Sequence, residues 1–381
     1  MNFLINNFKW CLVIIGGFVL VIAFFSGGRY LGKASVEVVR IPDGARMPRA
    51  VIDESGTMHV IYFEGVMSGG DLFYVSRGRG HDTWSAPMLV NSEPRSVVGM
   101  GPIDGGQLAI DSRNVIHVVW FQTNPTRIFY TRSQQNTDLF ETQRMLWTEN
   151  DGSFEASPTV ATDLEGNVFV LWHAGGSEDY ERGVHLVVSR DEGRTFGQVQ
   201  KVSKTDEGAC GCCNMAALTG LSGEVYVSYR SAAQNIRRGQ RLLTLRDAGR
   251  RFDDQLIHEW EIGACPVTTT TLSNGPEATK IAWETDGQVY FASVDRLDVF
   301  ASPQGNPRFR RKNPVVAVNQ RSQTLLVWGD GPGLRAGGTL HWSIFDSSGR
   351  QTNQNGDGPT VPSGSAPAVI VQPDDSFTIL Y

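Results

Sequence analysis

A propeller of four-stranded antiparallel blades, an all-β fold, is predicted by three observations. Apolar and polar residues alternate with period two along most of the chain, glycine is abundant at 42 of 381 residues, and one module recurs from end to end. The module opens on a small residue or proline, continues as an alternating strand and a polar turn, and closes on a second strand ending in an aromatic. It reads MPRAVIDESGTMHVIYFEG at 47–65, GGQLAIDSRNVIHVVWFQT at 105–123 and SPTVATDLEGNVFVLWHAG at 157–175. Further copies stand at 213–231, 266–286, 313–331 and 366–381. Copies follow one another at roughly fifty residues, the repeat length of a radial array of four-stranded sheets. Two more strand-like runs fill the intervals, as in DLFYVSR and TWSAPMLV. The last copy stops after its second strand at Tyr381, so SVEVVRI at 35–41 is left to complete that sheet. Closing the ring with both ends removes exposed strand edges. The copies predict seven blades, or six if one copy serves as a closing strand.

Composition narrows the class. Hydrophobic residues at 40% and charged residues at 19% describe a folded chain rather than a disordered one. A net charge of −6 argues against a nucleic-acid binder, which needs a basic face. The one basic run, Arg308-Phe309-Arg310-Arg311-Lys312, reads as a solvated loop. Residues 1–28 differ in kind: WCLVIIGGFVLVIAFF at 10–25 carries no charge, and no small-x-small cleavage site follows closely. The expectation is an N-terminal signal-anchor or transmembrane helix over 1–28, with a propeller over 29–381 facing the periplasm or cell exterior. Cys11 then serves as a small apolar residue.

Ser189–Phe196, SRDEGRTF, fits the pattern S-x-D-x-G-x-T-F/W at every fixed position. Asp191 is suited to accept backbone N–H bonds in a tight turn between third and fourth strands. Gly193 supplies the permissive dihedral and Phe196 an apolar plug. LRDAGRRF at 245–252, SRGRGHDTW at 76–84 and SIFDSSGR at 343–350 are weaker forms at the same place in the module. On these motifs residues 36–381 resemble the Asp-box (BNR-repeat) propellers of the sialidase superfamily. That resemblance implies fold rather than activity. Sialidases of this kind grip a substrate carboxylate with three arginines and use a Tyr–Glu nucleophile pair and an Asp acid/base. Arg40-Ile41-Pro42 matches the triplet that marks their first arginine, and Arg230, closing VSYR, is the better-placed carboxylate binder. No Tyr with a partnered Glu is recognisable, a departure from the sialidase pattern.

The cysteines are unevenly placed. Of five, three fall in GACGCC at 208–213, and GAC recurs at 263–265 before Pro266. The set C-x-C-C…C-P resembles that of a group of bacterial sialidase-like propellers. Both stretches lie just ahead of first strands, in the fourth and fifth modules, as if each loop began with the same turn. First strands line the axis of a propeller, so Cys210, Cys212, Cys213 and Cys265 are expected in one quadrant of its mouth. In an oxidising compartment the preferred reading is two disulfides, Cys213–Cys265 plus a bridge involving Cys210 or Cys212. A zinc or copper site is the alternative. Against it, C-x-C-C is an unusual zinc spacing and adjacent residues of an extended strand point apart. Reduced or redox-active thiols are the third reading.

The same mouth should gather the residues just beyond the second-strand aromatics: Glu64, Gln122, His173, Arg230, Glu284 and Asp330, with Arg49 from a first strand. Glu64, Glu284 and Asp330 are the candidate catalytic carboxylates for glycoside cleavage; Arg49, Gln122, His173 and Arg230 are the candidate ligand-binding residues. His59, His117, Trp120, Trp172, Trp283 and Trp328 read as packing residues. The function expected is a membrane-anchored, extracytoplasmic, sialidase-like propeller that binds a carbohydrate or related polar ligand and, if an enzyme, hydrolyses it as an exo-sialidase-like glycosidase. The alternative is a non-catalytic propeller of a cell-envelope complex, with a disulfide-stapled or metal-binding cysteine cluster.

Overall fold

The computed structural model describes residues 10–15, 18–23 and 33–381, apart from 135–136, 138, 150–154, 205, 306–308 and 333–336. Contacts divide the chain into two units, Met1–Lys33 and Ala34–Tyr381. In the first, Trp10–Ile15 pairs antiparallel with Phe18–Ala23. The helix expected over 1–28 is therefore not found; the rest of that segment lies outside the described residues. The run is dense in Val, Ile and Phe, side chains that suit strand better than helix, and Gly16-Gly17 interrupts it. Among the described residues no helix is long and apolar enough to cross a membrane.

The second unit is a propeller of seven sheets, six of them four-stranded. The innermost strands are Arg46–Ile52, Gly106–Ile110, Thr159–Thr162, Ala216–Thr219, Thr271–Asn274, Arg311–Val318 and Ala368–Val371, here blades I to VII. Blade VII contains Ala368–Val371, Phe377–Leu380 and Val36–Val39. Val36–Val39 does complete the last blade, but it lies parallel to Phe377–Leu380, with Phe377 opposite Val36 and Leu380 opposite Val39. The ring is thus latched by hydrogen bonds between the two ends of the unit.

Why these segments stack radially follows from their side chains. Apolar clusters bridge successive sheets all the way round, including Val60 and Tyr62 of blade I against Ile370 and Leu380 of blade VII. The second-strand aromatics are the plugs: Trp120, Trp172, Trp283 and Trp328 are 0–5% exposed, each packed between neighbouring blades. Burying one such ring contributes a few kcal/mol, on the order of 3. The turns after the inner strands are closed by carboxylates or an amide. Asp53 accepts from the Thr57 N–H at 2.8 Å, Asp111 from Val115 at 2.9 Å, Asp163 from Asn167 at 2.9 Å and Asn319 from Gln323 at 3.0 Å.

The Asp-box turn lies between Gly183–Ser189 and Gln200–Lys201. Asp191 accepts from Ser189 Oγ at 2.7 Å, from the Thr195 N–H at 2.8 Å and from Thr195 Oγ1 at 2.6 Å. Gly193 sits at φ 77° and Phe196 meets the Tyr130 ring edge-on at 4.9 Å, joining blade III to blade II. His59 and His117 are tied inside their blades, each Nδ1 2.7 Å from a tyrosine hydroxyl, Tyr74 and Tyr130 respectively.

Candidate functional site

The inner strands enclose an axial channel of about 580 Å³ lined by Ala, Val and Thr side chains, with Arg49 and Asn214 toward one end. Its walls are short of catalytic groups. The chemistry gathers instead at the mouth formed by the loops entering the inner strands and by the ends of the second strands. There Arg230 and Glu284, 1% and 2% exposed, meet between blades IV and V: Arg230 Nη2 donates to the Glu284 main-chain carbonyl. The guanidinium also lies over Trp260 at 4.6 Å. Glu284 takes the Gly287 N–H on Oε1 at 2.6 Å. Burial pushes its carboxyl above the ordinary range, against the pull of Arg230 and Lys312.

The loop before blade II contributes an acid that the module pattern does not mark. Asp104 is 2% exposed and receives the Gly101 N–H on Oδ2 at 2.8 Å. Burial pushes this carboxyl up to about 7; the Gly101 bond opposes the rise, the charge of Glu155 adds to it and Arg49 offsets it. Glu155, before blade III, is likewise raised, first by burial and then by the negative charge of Cys265 and Asp179. Arg49 is part-buried and donates to the Pro48 and Pro102 carbonyls, both at 3.0 Å. Its pKa is lowered to about 10 by burial, Asp104 opposing. Asp179 binds two guanidiniums, Arg182 Nη1 at 2.6 Å and Arg238 Nη1 at 2.8 Å. One carboxylate so held fixes a cationic patch beside the acids.

Three of the propeller's cysteines cluster here. Cys210, Cys212 and Cys213 are 0%, 6% and 2% exposed; Cys210 Sγ is 3.3 Å from Cys212 Sγ and 3.7 Å from Cys213 Sγ. Cys265, exposed, comes from the loop into the next blade and stands outside the group of three sulfurs that lie within 4.8 Å of one another. These cysteines are unbonded, so the expected disulfides are not present: a disulfide needs about 2.05 Å between sulfurs. The expectation that Cys212 and Cys213 point apart also fails. They belong to a turn closed by Cys213 N–H on the Cys210 carbonyl at 3.2 Å, and a turn gathers side chains that a strand would separate. The two Gly-Ala-Cys stretches are not one turn repeated. Gly208 has φ 63°, with Asp179 O and Tyr180 Cα 2.8 Å from where a Cβ would stand. Gly263 is in open space and has no such dihedral.

Of the ring expected from sequence, the structure joins Arg230 to the Glu284 main-chain carbonyl, and His173 stands near the end of its strand on the same face. His173 is fully buried and held neutral, its pKa lowered to about 3 by burial and then by Arg182. Arg49 joins through Asp104. Glu64 stands at the same strand end but only partly buried, with Tyr62 as its charge-sensing neighbour. Gln122 is partly buried at the end of its strand. Asp330 faces His341 Nε2 at 3.7 Å and Arg311, not the Arg230–Glu284 pair. Arg40 is an exposed ion pair with Asp43 at 3.2 Å.

Asp104, Glu155, Asp179, Arg182 and Lys312 were missed. The first four lie in loops outside the repeating module; the usable signal was their position just ahead of inner strands or beyond a second strand. The basic run that holds Arg311 and Lys312 is not a solvated loop at these two positions. Both belong to blade VI's inner strand, where Arg311 is 8% exposed and donates to the Pro303 carbonyl at 2.9 Å, and Lys312 Nζ donates to the Pro266 carbonyl.

No family model matches the chain, and no curated protein matches it by sequence. Solved structures do. A Penicillium chrysogenum α-L-arabinanase complexed with arabinobiose is similar at TM-score 0.54 and 10% identity, over 81% of this chain and 95% of that one. A GH93 α-L-arabinofuranosidase of Fusarium graminearum, also with arabinobiose, gives 0.52 and 10% over 86% and 98%. The Hadza microbial sialidase Hz136 gives 0.51 and 11% over 78% and 68%. At such identities the likeness shows the fold alone, a propeller whose seven blades the sheet topology counts, and leaves the chemistry to the site.

Proposed function

We propose that this mouth binds a carbohydrate or a related polar ligand and cleaves a glycosidic bond in it. The observation that supports the reading is that Asp104, Glu155 and Glu284, three acids raised by burial, lie with Arg49 and Arg230 in loops entering inner strands or at strand ends on the same face of the ring. Glycoside hydrolysis needs one carboxyl protonated near neutral pH and another ionised. Asp104, raised to about 7, suits the proton donor. Glu284, beside Arg230 and Lys312, suits the ionised partner, because those cations oppose the rise that burial causes. Arg49, Arg230 and Lys312 supply charge for an acidic sugar, and Trp260, under Arg230, keeps that guanidinium in place. The arabinobiose complexes of the two similar glycosidases support a carbohydrate as the ligand class.

The apolar run at 10–25 supports attachment of the propeller to a membrane, outside the cytoplasm, a reading that stands on sequence. The test of the site is a screen of sialosides, arabino-oligosaccharides and other aryl glycosides, with hydrolysis and calorimetric binding measured side by side. Turnover that falls at least a hundredfold in Asp104→Asn and Glu284→Gln supports the reading. Binding without turnover turns it to the non-catalytic alternative, and neither binding nor turnover rejects it.

A further inference from the structure

Three cysteine sulfurs gather in the loop into blade IV, a fourth cysteine stands on the loop into the adjacent blade V, and the glycosidase reading uses none of them. Three are buried in a turn: Cys210, Cys212 and Cys213 keep their sulfurs within 4.8 Å of one another. A tetrahedral ion with thiolate bonds near 2.3 Å spaces its sulfurs about 3.8 Å apart. Cys210 to Cys213 is 3.7 Å and Cys210 to Cys212 is 3.3 Å, spacings of co-ligands rather than of a disulfide. The fourth, Cys265, comes from the loop into blade V and is exposed, which leaves a route from solvent.

The surroundings are built for anionic sulfur. Arg230 and Arg238 are 1% and 4% exposed. Among the described residues Arg230 Nε and Nη1, and Arg238 Nε, have no hydrogen-bond partner, an expensive state for buried donors. Both guanidiniums interact electrostatically with the cluster, Arg230 with Cys213 and Arg238 with Cys210 and Cys212. The turn is fixed by main-chain bonds, Cys210 N–H to the Arg230 carbonyl at 2.8 Å and Ala209 N–H to Asp179 O at 2.9 Å. Gly211 is the small residue that the turn demands, since a Cβ there would lie 2.6 Å from Glu155 O and 2.7 Å from Arg182 Nη1. Ile103, Ala232 and Val267 close an apolar shell around the sulfurs.

We propose that Cys210, Cys212, Cys213 and Cys265 form a closed tetrathiolate site for a zinc ion that ties together the loops entering blades IV and V. Charge selects the ion. Four thiolates on a divalent cation leave two negative charges, which Arg230 and Arg238 offset; copper(I) would leave three. With all four positions taken by protein, the ion has no place for water or substrate, so its role is to hold the loops. Those loops flank Arg230, and Ile103, packed on the sulfurs, precedes Asp104. Metal binding releases the thiol protons to solvent and changes no oxidation state.

The full-length protein, purified without chelator under anaerobic conditions, should carry one zinc per chain by elemental analysis. After unfolding it should show the four propeller thiols free. Cobalt(II) exchanged into the site should give the intense sulfur-to-cobalt bands and the d–d absorption of a tetrahedral tetrathiolate. Cys265→Ser, at an exposed position, should fold and lose zinc at least tenfold, and a strong chelator should lower the unfolding temperature of the parent by more than about five degrees. A metal-free protein with four reactive thiols, a chain lighter by the hydrogens of disulfides, or copper in place of zinc would each overturn the proposal. None of these readouts involves a sugar, so the site stands or falls separately from the glycosidase reading.

Discussion

Arg230 reaches across from blade IV and donates through Nη2 to the main-chain carbonyl of Glu284 in blade V, while its guanidinium stacks on Trp260 at 4.6 Å. One buried cation thus holds the edge of the neighbouring blade, while among the described residues its Nε and Nη1 have no hydrogen-bond partner. Arg230→Ala should destabilise the propeller by about 3 kcal/mol, because it leaves a carbonyl, a ring and a raised carboxyl without their partner. Arg230→Lys should recover less than half of that, since a lysine keeps the charge but not the planar fork. Urea denaturation followed by tryptophan fluorescence measures both; a loss under 1 kcal/mol for the alanine variant contradicts the assignment.

Asp104 makes the stability depend on pH in a stated direction. Its carboxyl rises from 3.8 when unfolded to about 7 when folded, so the folded state holds the proton more tightly. The stability this contributes is complete below about pH 4 and is lost as pH climbs through about 7. The full span is on the order of 4 kcal/mol. Denaturation midpoints across this range should fall with pH in the parent and flatten in Asp104→Asn. Equal slopes in the two proteins would remove Asp104 as the cause.

The two glycines of the repeated Gly-Ala-Cys differ from each other in what they permit, and one of them behaves like the glycine inside the cysteine turn. Gly211→Ala places a methyl 2.6 Å from Glu155 O, a main-chain atom that cannot swing away, and should cost about 2 kcal/mol. Gly263→Ala enters open space and should change stability by less than about 0.5 kcal/mol. Gly208→Ala should resemble Gly211→Ala, being both left-handed and enclosed. Thermal unfolding of the three variants ranks them directly.

Asp191→Ala removes an acceptor of three hydrogen bonds in the Asp-box turn and should cost about 2 kcal/mol. The turn joins a third strand to a fourth, at the opposite end of the strands from the cysteine loops. Ligand affinity and metal content should therefore stay within twofold of the parent. A large loss of either with stability intact would place the turn in the site.

Fold and site were unequally legible in the chain. The blades could be read because each inner and second strand faces a sheet on both sides, and burial imposes alternation and a terminal aromatic on every copy. Trp120, Trp172, Trp283 and Trp328 carry that rule. The ring of strand-end residues is readable only as a register: Arg230 does meet Glu284, whereas Asp330 faces His341. Asp104, Glu155 and Asp179 sit on irregular loops whose course no periodicity records. Arg311 and Lys312 were misread because a basic run looks solvated until an inner strand carries it inward.

What the sequence by itself determined is the radial array of repeated sheets, their order and the latch that Val36–Val39 supplies, because repeated local patterning constrains which faces must be buried; the count of seven rather than six came from the sheet topology. Tertiary structure alone decided the state of the cysteines and the identity of the acids. Whether Cys212 and Cys213 diverge or converge depends on a turn made by main-chain bonds to Arg230 and Asp179, partners drawn from other parts of the ring. Likewise a carboxyl such as Asp104 acquires its proton affinity from the packing that encloses it, and that enclosure exists only once distant loops have come together at the axis.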